Sequence, residues 1–160
     1  MKQSAGKVNL DPNKLAVLYY FGDLSYWQLP KIAGEALELG FDGPSLRRLA
    51  GIVNPVASDI RPEQIDSAFR EMGVAAPIAK GEARLALASE AARRATSGET
   101  DVFAEATHIR IHVCELHDPP LELQRIVALS EESEHAPREK WKRLEGDLRA
   151  ELSDFLRSRS

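Results

Sequence analysis

One cysteine, no long apolar run and no excess of positive charge are the first constraints set by this sequence of 160 residues. A lone Cys114 excludes an internal disulfide and fits a reducing compartment. No apolar stretch approaches the roughly 20 residues that a membrane-spanning helix needs. The opening residues MKQSAGKVNL lack the apolar run of a signal peptide, so the expectation is a cytoplasmic protein. Lys and Arg number 21 against 25 Asp and Glu, a net charge of −4. The imbalance is uneven: net +1 over residues 1–57, −1 over 58–100 and −4 over 101–160. No section has the basic excess that phosphate-backbone binding normally draws on.

Several chemical signatures are missing as well. Glycines stand singly at expected helix ends, and Lys80-Gly81-Glu82 has no second glycine with which to cradle a phosphate. No nucleophile elbow appears, so no Ser–His–Asp arrangement is inferred. Cys114 is expected late in a helix, where the dipole disfavours a thiolate, and reads as a small packed residue. The chain is therefore read as non-enzymatic, with no cofactor.

What is present is helix punctuation. With 43% apolar and 29% charged residues, the composition is that of a globular chain, read as a single domain over 1–160 with residues 1–9 and 157–160 mobile. Asp11-Pro12 is an N-cap followed by a first-turn proline, opening a helix that Gly22 ends. Ser25 with Gln28 forms a capping box, Pro30 sits early in the next helix, and Gly40 closes it. Ile32, Ala33, Ala36, Leu37 and Leu39 give that helix its apolar stripe. Asp42-Gly43-Pro44 opens a short helix with Leu46, Leu49 and Ala50 inward, which Gly51 stops. Arg61-Pro62-Glu63 opens another, with Ile65, Ala68, Phe69 and Met72 inward and Gly73 closing it. An alanine-rich helix runs from about Ala79 to Ser97 and is capped by Gly98.

Residues 101–116 carry two patterns. Ile109, Ile111 and Val113 alternate as in a strand, whereas Val102, Ala106, Ile109, Val113 and Leu116 recur at helical spacing. The helical pattern covers more residues and is preferred. Asp118-Pro119-Pro120 breaks it, Leu121–Leu129 is a short helix and Glu131–Pro137 an acidic link. Trp141, Leu144, Leu148, Leu152 and Phe155 mark a final amphipathic helix. The fold class expected is all-α, a compact bundle of seven or eight short-to-medium helices with no strand.

The segment Trp27–Gly51, WQLPKIAGEALELGFDGPSLRRLAG, has the look of a motif. Ala36 and Gly40 stand four apart, as the small residue and turn glycine of a helix-turn-helix do, which would place Arg47 and Arg48 on a DNA-reading helix. Against that reading stand the short second helix, Pro44 in the turn and the acidic total. Trp27, Ala36, Leu37, Gly40, Asp42, Pro44, Leu46, Arg47, Leu49, Ala50 and Gly51 together resemble a motif of an uncharacterised bacterial family of small helical proteins. The resemblance covers about 25 residues; it implies a bacterial origin and an all-helical fold, and no activity.

Metal chemistry has one candidate set. Glu105-x-x-His108 has the spacing of di-metal carboxylate helices, His112 lies a turn further on, and Cys114 and His117 are near. Glu132-x-x-His135 repeats the spacing but falls in the acidic link, and Ile109 stands where a zinc-peptidase helix needs glutamate. An amphipathic surface is the simpler account of His108 and His112. The aromatics are few but crowded: Tyr19, Tyr20, Phe21, Tyr26 and Trp27 fall within nine positions, too many for one buried stripe. They form either a packed corner between the first two helices or an exposed contact site. A partner-binding surface is accordingly expected at Tyr26 and Trp27 and at the acidic Glu131, Glu132 and Glu134, extended by Asp118 and Glu122. A small acidic helical chain of this kind suits an immunity or antitoxin-type inhibitor that covers a basic protein surface. Membrane and nucleic-acid partners are not expected.

Overall fold

The structure, a computed structural model, describes residues 9–56, 60–115 and 118–160. Among these it is all-α, with eight α-helices and no strand. The helices are α1 (Pro12–Phe21), α2 (Leu29–Glu38), α3 (Pro44–Ala50), α4 (Pro62–Glu71), α5 (Lys80–Thr96), α6 (Val102–His108), α7 (Gln124–His135) and α8 (Arg138–Arg159). Of the termini expected to be mobile, residues 1–8 lie outside the described residues, whereas 157–159 are the last turn of α8. None of the described helices is long and apolar enough to cross a membrane. The chain divides into two compact units, 1–83 and 84–160.

In the first unit the caps follow the local chemistry. Asp11 accepts a hydrogen bond from the Lys14 amide (3.2 Å), and Pro12 follows it as the first helical residue. Gly22 then ends α1 with a φ of 109°, a conformation that costs a side-chain-bearing residue energy. Ser25 and Gln28 do form a box, the Ser25 amide donating to Oε1 of Gln28 (3.0 Å). It caps a 3-10 turn at Tyr26–Gln28 that feeds into α2. The fully buried stripe of α2 is Leu29, Ala33 and Ala36, with the expected Ile32 and Leu37 half-buried; Leu39, past the last turn, is exposed. Gly51 ends α3 as expected, yet with a right-handed backbone (φ −81°), so nothing there requires glycine. α2 packs on α3 and α3 on α4, closing a core around Leu29, Leu46, Leu49, Ile65, Phe69 and Met72. Burying each such side chain stabilises the fold by roughly 1.5–3 kcal/mol.

In the second unit α6, α7 and α8 pack together, and alanines of α5 (Ala88, Ala91, Ala92, Ala95) lie in the same core. Val102, Ala106, Ile109 and Val113 are buried while Ile111 is 46% exposed, so the helical pattern prevails over the alternating one. Leu116 lies outside the described residues. The helix does not stay regular: Ile109–Val113 forms a π turn in which the Cys114 amide donates to the Ile109 carbonyl (2.9 Å). Arg84 Nε then donates to the Val113 carbonyl (3.1 Å), satisfying an acceptor that the helix end leaves open. The stretch Glu131–Pro137, expected to be an acidic link, is instead helical as far as His135. α7 continues to His135, because the stretch holds good helix formers and meets no glycine or proline before Pro137. In α8 the stripe Leu144, Leu148, Leu152 and Phe155 is buried, but Trp141 in its first turn is 45% exposed. Its indole Nε1 donates to the Ala136 carbonyl (3.0 Å).

Candidate functional site

The crowded aromatics sort by position. Phe21 is buried, and Tyr19 and Tyr20 pack edge to face against each other at 5.1 Å. Both rings also lie against Phe69 of α4, at 5.9 and 5.7 Å. The packed partner is therefore α4, not the corner between α1 and α2 alone. Tyr26 and Trp27, on the 3-10 turn, remain 38% and 61% exposed. A side chain as large as Trp27 left mostly in water is unusual for a packed corner.

These residues edge an open groove of about 650 Å³ lined by Tyr19, Tyr20, Gly22, Leu24, Ser25, Tyr26, Trp27, Pro62 and Asp66. Pro62 and Asp66 stand four apart on α4, hence on one face of it. The Tyr20 hydroxyl donates to Oδ1 of Asp66. Burial raises the Tyr20 pKa well above its ordinary value, and the hydrogen bond and charge of Asp66 raise it further against the opposing field of Arg70. Tyr19 is raised in the same direction, by burial and then by Asp66. Arg70 turns its Nε to the Ala76 carbonyl (2.8 Å). The groove thus combines four aromatic rings with one carboxylate.

Compared with protein-family models, curated proteins and solved structures, the chain matches none. The geometry therefore has to carry the functional reading.

The other expected site residues are placed as follows. Asp118, Glu122, Glu131, Glu132 and Glu134 belong to the second unit, Tyr26 and Trp27 to the first. The five acids do not form one cluster. Glu122 precedes α7 and Glu132 lies near its end, so about 15 Å of helix separates them. Glu131 and Glu132 are exposed, while Glu134 is paired with Arg110, which also donates from Nε to the buried Ser130 Oγ (3.1 Å).

His108 and His112 stack at 5.1 Å on the exposed side of α6 and its π turn. Glu105, the third member of that set, is 8% exposed and held in a fork by Arg94 (Nε–Oε1 and Nη2–Oε2, both 3.1 Å). Burial opposes the charge on Glu105, but the hydrogen bonds from Arg94 and Thr100 and the nearby cations hold its pKa below the usual value. Among the described residues no group of three or more His, Cys, Asp or Glu is placed to hold a metal ion; His117 lies outside them. Glu132 and His135 share the last turns of α7, and both are exposed. Cys114 is buried, and burial raises its thiol pKa against the pull of Arg84.

In the segment that could be read as a helix-turn-helix, Arg47 forks onto Asp42 (Nε–Oδ1 2.8 Å), which holds the Asp42 carboxyl below its usual pKa. Its guanidinium is engaged in holding the turn, and α3 has only seven residues. Arg48 is exposed beside it, as is Lys31 on α2. Asp66 and Pro62 are among the groove residues that sequence reasoning did not assign to a site. The available signal was their spacing of four beside a buried stripe; what it lacked was any sign that Tyr20, 46 positions earlier, faces them.

Proposed function

We propose that the chain is a non-enzymatic protein-binding module acting in the cytoplasm, of the immunity or antitoxin type, that masks a basic surface of its partner. The observation that carries this reading is the groove that the exposed Trp27 and Tyr26 line together with Asp66. Tyr and Trp supply much contact area for little conformational cost, which makes them frequent anchors at interfaces. The net charge of −4 and the exposed Glu131 and Glu132 add a long-range attraction for a basic partner, felt mainly in the association rate.

The test is recovery of the partner, by mild cross-linking in cells that make the protein, with wild type, Trp27→Ala and the Glu131→Lys/Glu132→Lys pair. One partner is expected with the wild-type chain. Losing an anchor such as Trp27 should weaken it by about 2 kcal/mol, roughly thirtyfold. The charge reversals should slow association and reduce its dependence on salt. Equal recovery by wild type and Trp27→Ala would place the contact elsewhere.

A further inference from the structure

We propose that the aromatic groove of the first unit takes an arginine side chain presented on an extended segment of the partner, with Asp66 receiving the guanidinium. This rests on the reading of the chain as a protein-binding module and names the chemistry of its contact. Asp66 lines a groove otherwise made largely of aromatic and apolar side chains. Its Oδ1 accepts from Tyr20, yet each carboxylate oxygen has two lone pairs, so acceptor capacity remains on both oxygens. The residue that best fits the remaining sites is a cation, and the rings beside them favour one as well. A cation over Tyr or Trp is attracted by the ring quadrupole, and among protein cations the planar guanidinium both stacks on a ring and forks onto a carboxylate. Lysine offers a point charge that can do the second only in part.

The dimensions agree with a peptide and not with a lone side chain. A volume of about 650 Å³ exceeds what one arginine fills, and the groove is open to solvent. Leu24 and Pro62 line it with apolar surface on which the flanking backbone can lie. Arg70, the cation nearest in sequence on α4, is turned to the Ala76 carbonyl through its Nε.

The test uses the full chain labelled with ¹⁵N and follows the indole N–H signal of Trp27, separated from that of Trp141 by comparison with Trp141→Phe. The probes are three blocked tripeptides, Ala-Arg-Ala, Ala-Lys-Ala and Ala-citrulline-Ala, the last an uncharged match for arginine. A saturable shift is expected with the arginine peptide, several-fold weaker binding with lysine, and at least tenfold weaker binding with citrulline. Asp66→Asn keeps an acceptor for the Tyr20 hydroxyl and should reduce arginine binding to the citrulline level. An equal response to arginine and citrulline, or wild-type binding by Asp66→Asn, overturns the assignment. A partner that is lost with Trp27→Ala but held normally by Asp66→Asn would leave the module reading standing while removing arginine from it.

Discussion

Glu71 fills the space that a side chain on Gly43 would occupy. Gly43 precedes α3 and has no side chain to cap it; the Glu71 carboxylate, arriving from α4, accepts the amide hydrogens of Ser45 (3.2 Å) and Leu46 (2.9 Å) instead. A Cβ at position 43 would overlap that carboxyl group. Pro44 contributes by having no amide to satisfy. The first turn of a seven-residue helix is thus completed by a residue 25 positions beyond Leu46, which ties α3 to α4 beside the core. Removing the cap with Glu71→Ala should cost about 1–2 kcal/mol. Gly43→Ala should cost a similar amount by pushing the carboxylate off the amides. The two should not add: in the Glu71→Ala background, Gly43→Ala is expected to cost less than half as much. Urea denaturation of the four proteins measures this, and additive losses would show that the two residues do not share the site.

The fork between Arg94 and Glu105 leads to a prediction about acid. Glu105 is nearly buried and its folded pKa is held below the ordinary value near 4.5. A carboxylate depressed in the folded state contributes stability above its unfolded pKa, and that contribution is lost as pH falls through the folded pKa. Wild type should therefore lose stability below about pH 4.5 more steeply than Glu105→Gln, whose side chain has no proton to take up. Arg94→Ala, which leaves the carboxylate buried without its fork, should be the more damaging change at pH 7, by about 2 kcal/mol. Denaturation midpoints at pH 7, 5 and 3.5 compare the three; parallel curves would mean that the pair carries no pH-dependent stability.

The two isoleucines of the α6 end separate the helical pattern from the alternating one. Ile109 is fully buried and Ile111 is 46% exposed, although both belong to the strand-like run. Ile109→Ala should cost about 2–4 kcal/mol, whereas Ile111→Ser should change stability by less than about 0.5 kcal/mol. Comparable losses at the two positions would point to the alternating register.

How far local letters determine this molecule is visible in such pairs. Asp11-Pro12 and the stripe of Ile65, Ala68, Phe69 and Met72 act through neighbours within a turn or two, so spacing alone placed them. The π turn was hidden because its two competing periods share Ile109 and Val113, and one extra residue per turn leaves both partly satisfied. The helical tail of α7 was hidden for a different reason: exposed glutamates continue a helix without adding to its buried stripe. Trp27 and Tyr26 were legible as surplus aromatics beyond what one stripe can bury. Asp66 and Glu71 were not, since each matters through a partner more than 20 positions away, Tyr20 for one and Leu46 for the other.

Tyr20 and Asp66 should also be detectable at high pH, without any partner. The phenol of Tyr20 keeps its proton in the folded chain well above pH 10, the value at which it ionises when exposed. A group whose folded pKa is raised contributes stability that is fully present below the unfolded pKa and is lost as pH rises through the folded one. Wild type is therefore expected to weaken between pH 9.5 and 11.5, and Tyr20→Phe to weaken less over the same interval. At pH 8 the order reverses, because Tyr20→Phe has lost the hydrogen bond to Asp66, a contact worth about 1 kcal/mol. Guanidinium denaturation at pH 8, 9.5 and 11 tests both halves. Absorbance at 295 nm on the same samples should show fewer tyrosines ionising at pH 11 in folded wild type than in unfolded chain, since Tyr19 is raised along with Tyr20. Stability profiles of equal slope for the two proteins would mean that the Tyr20 proton is not held by the fold.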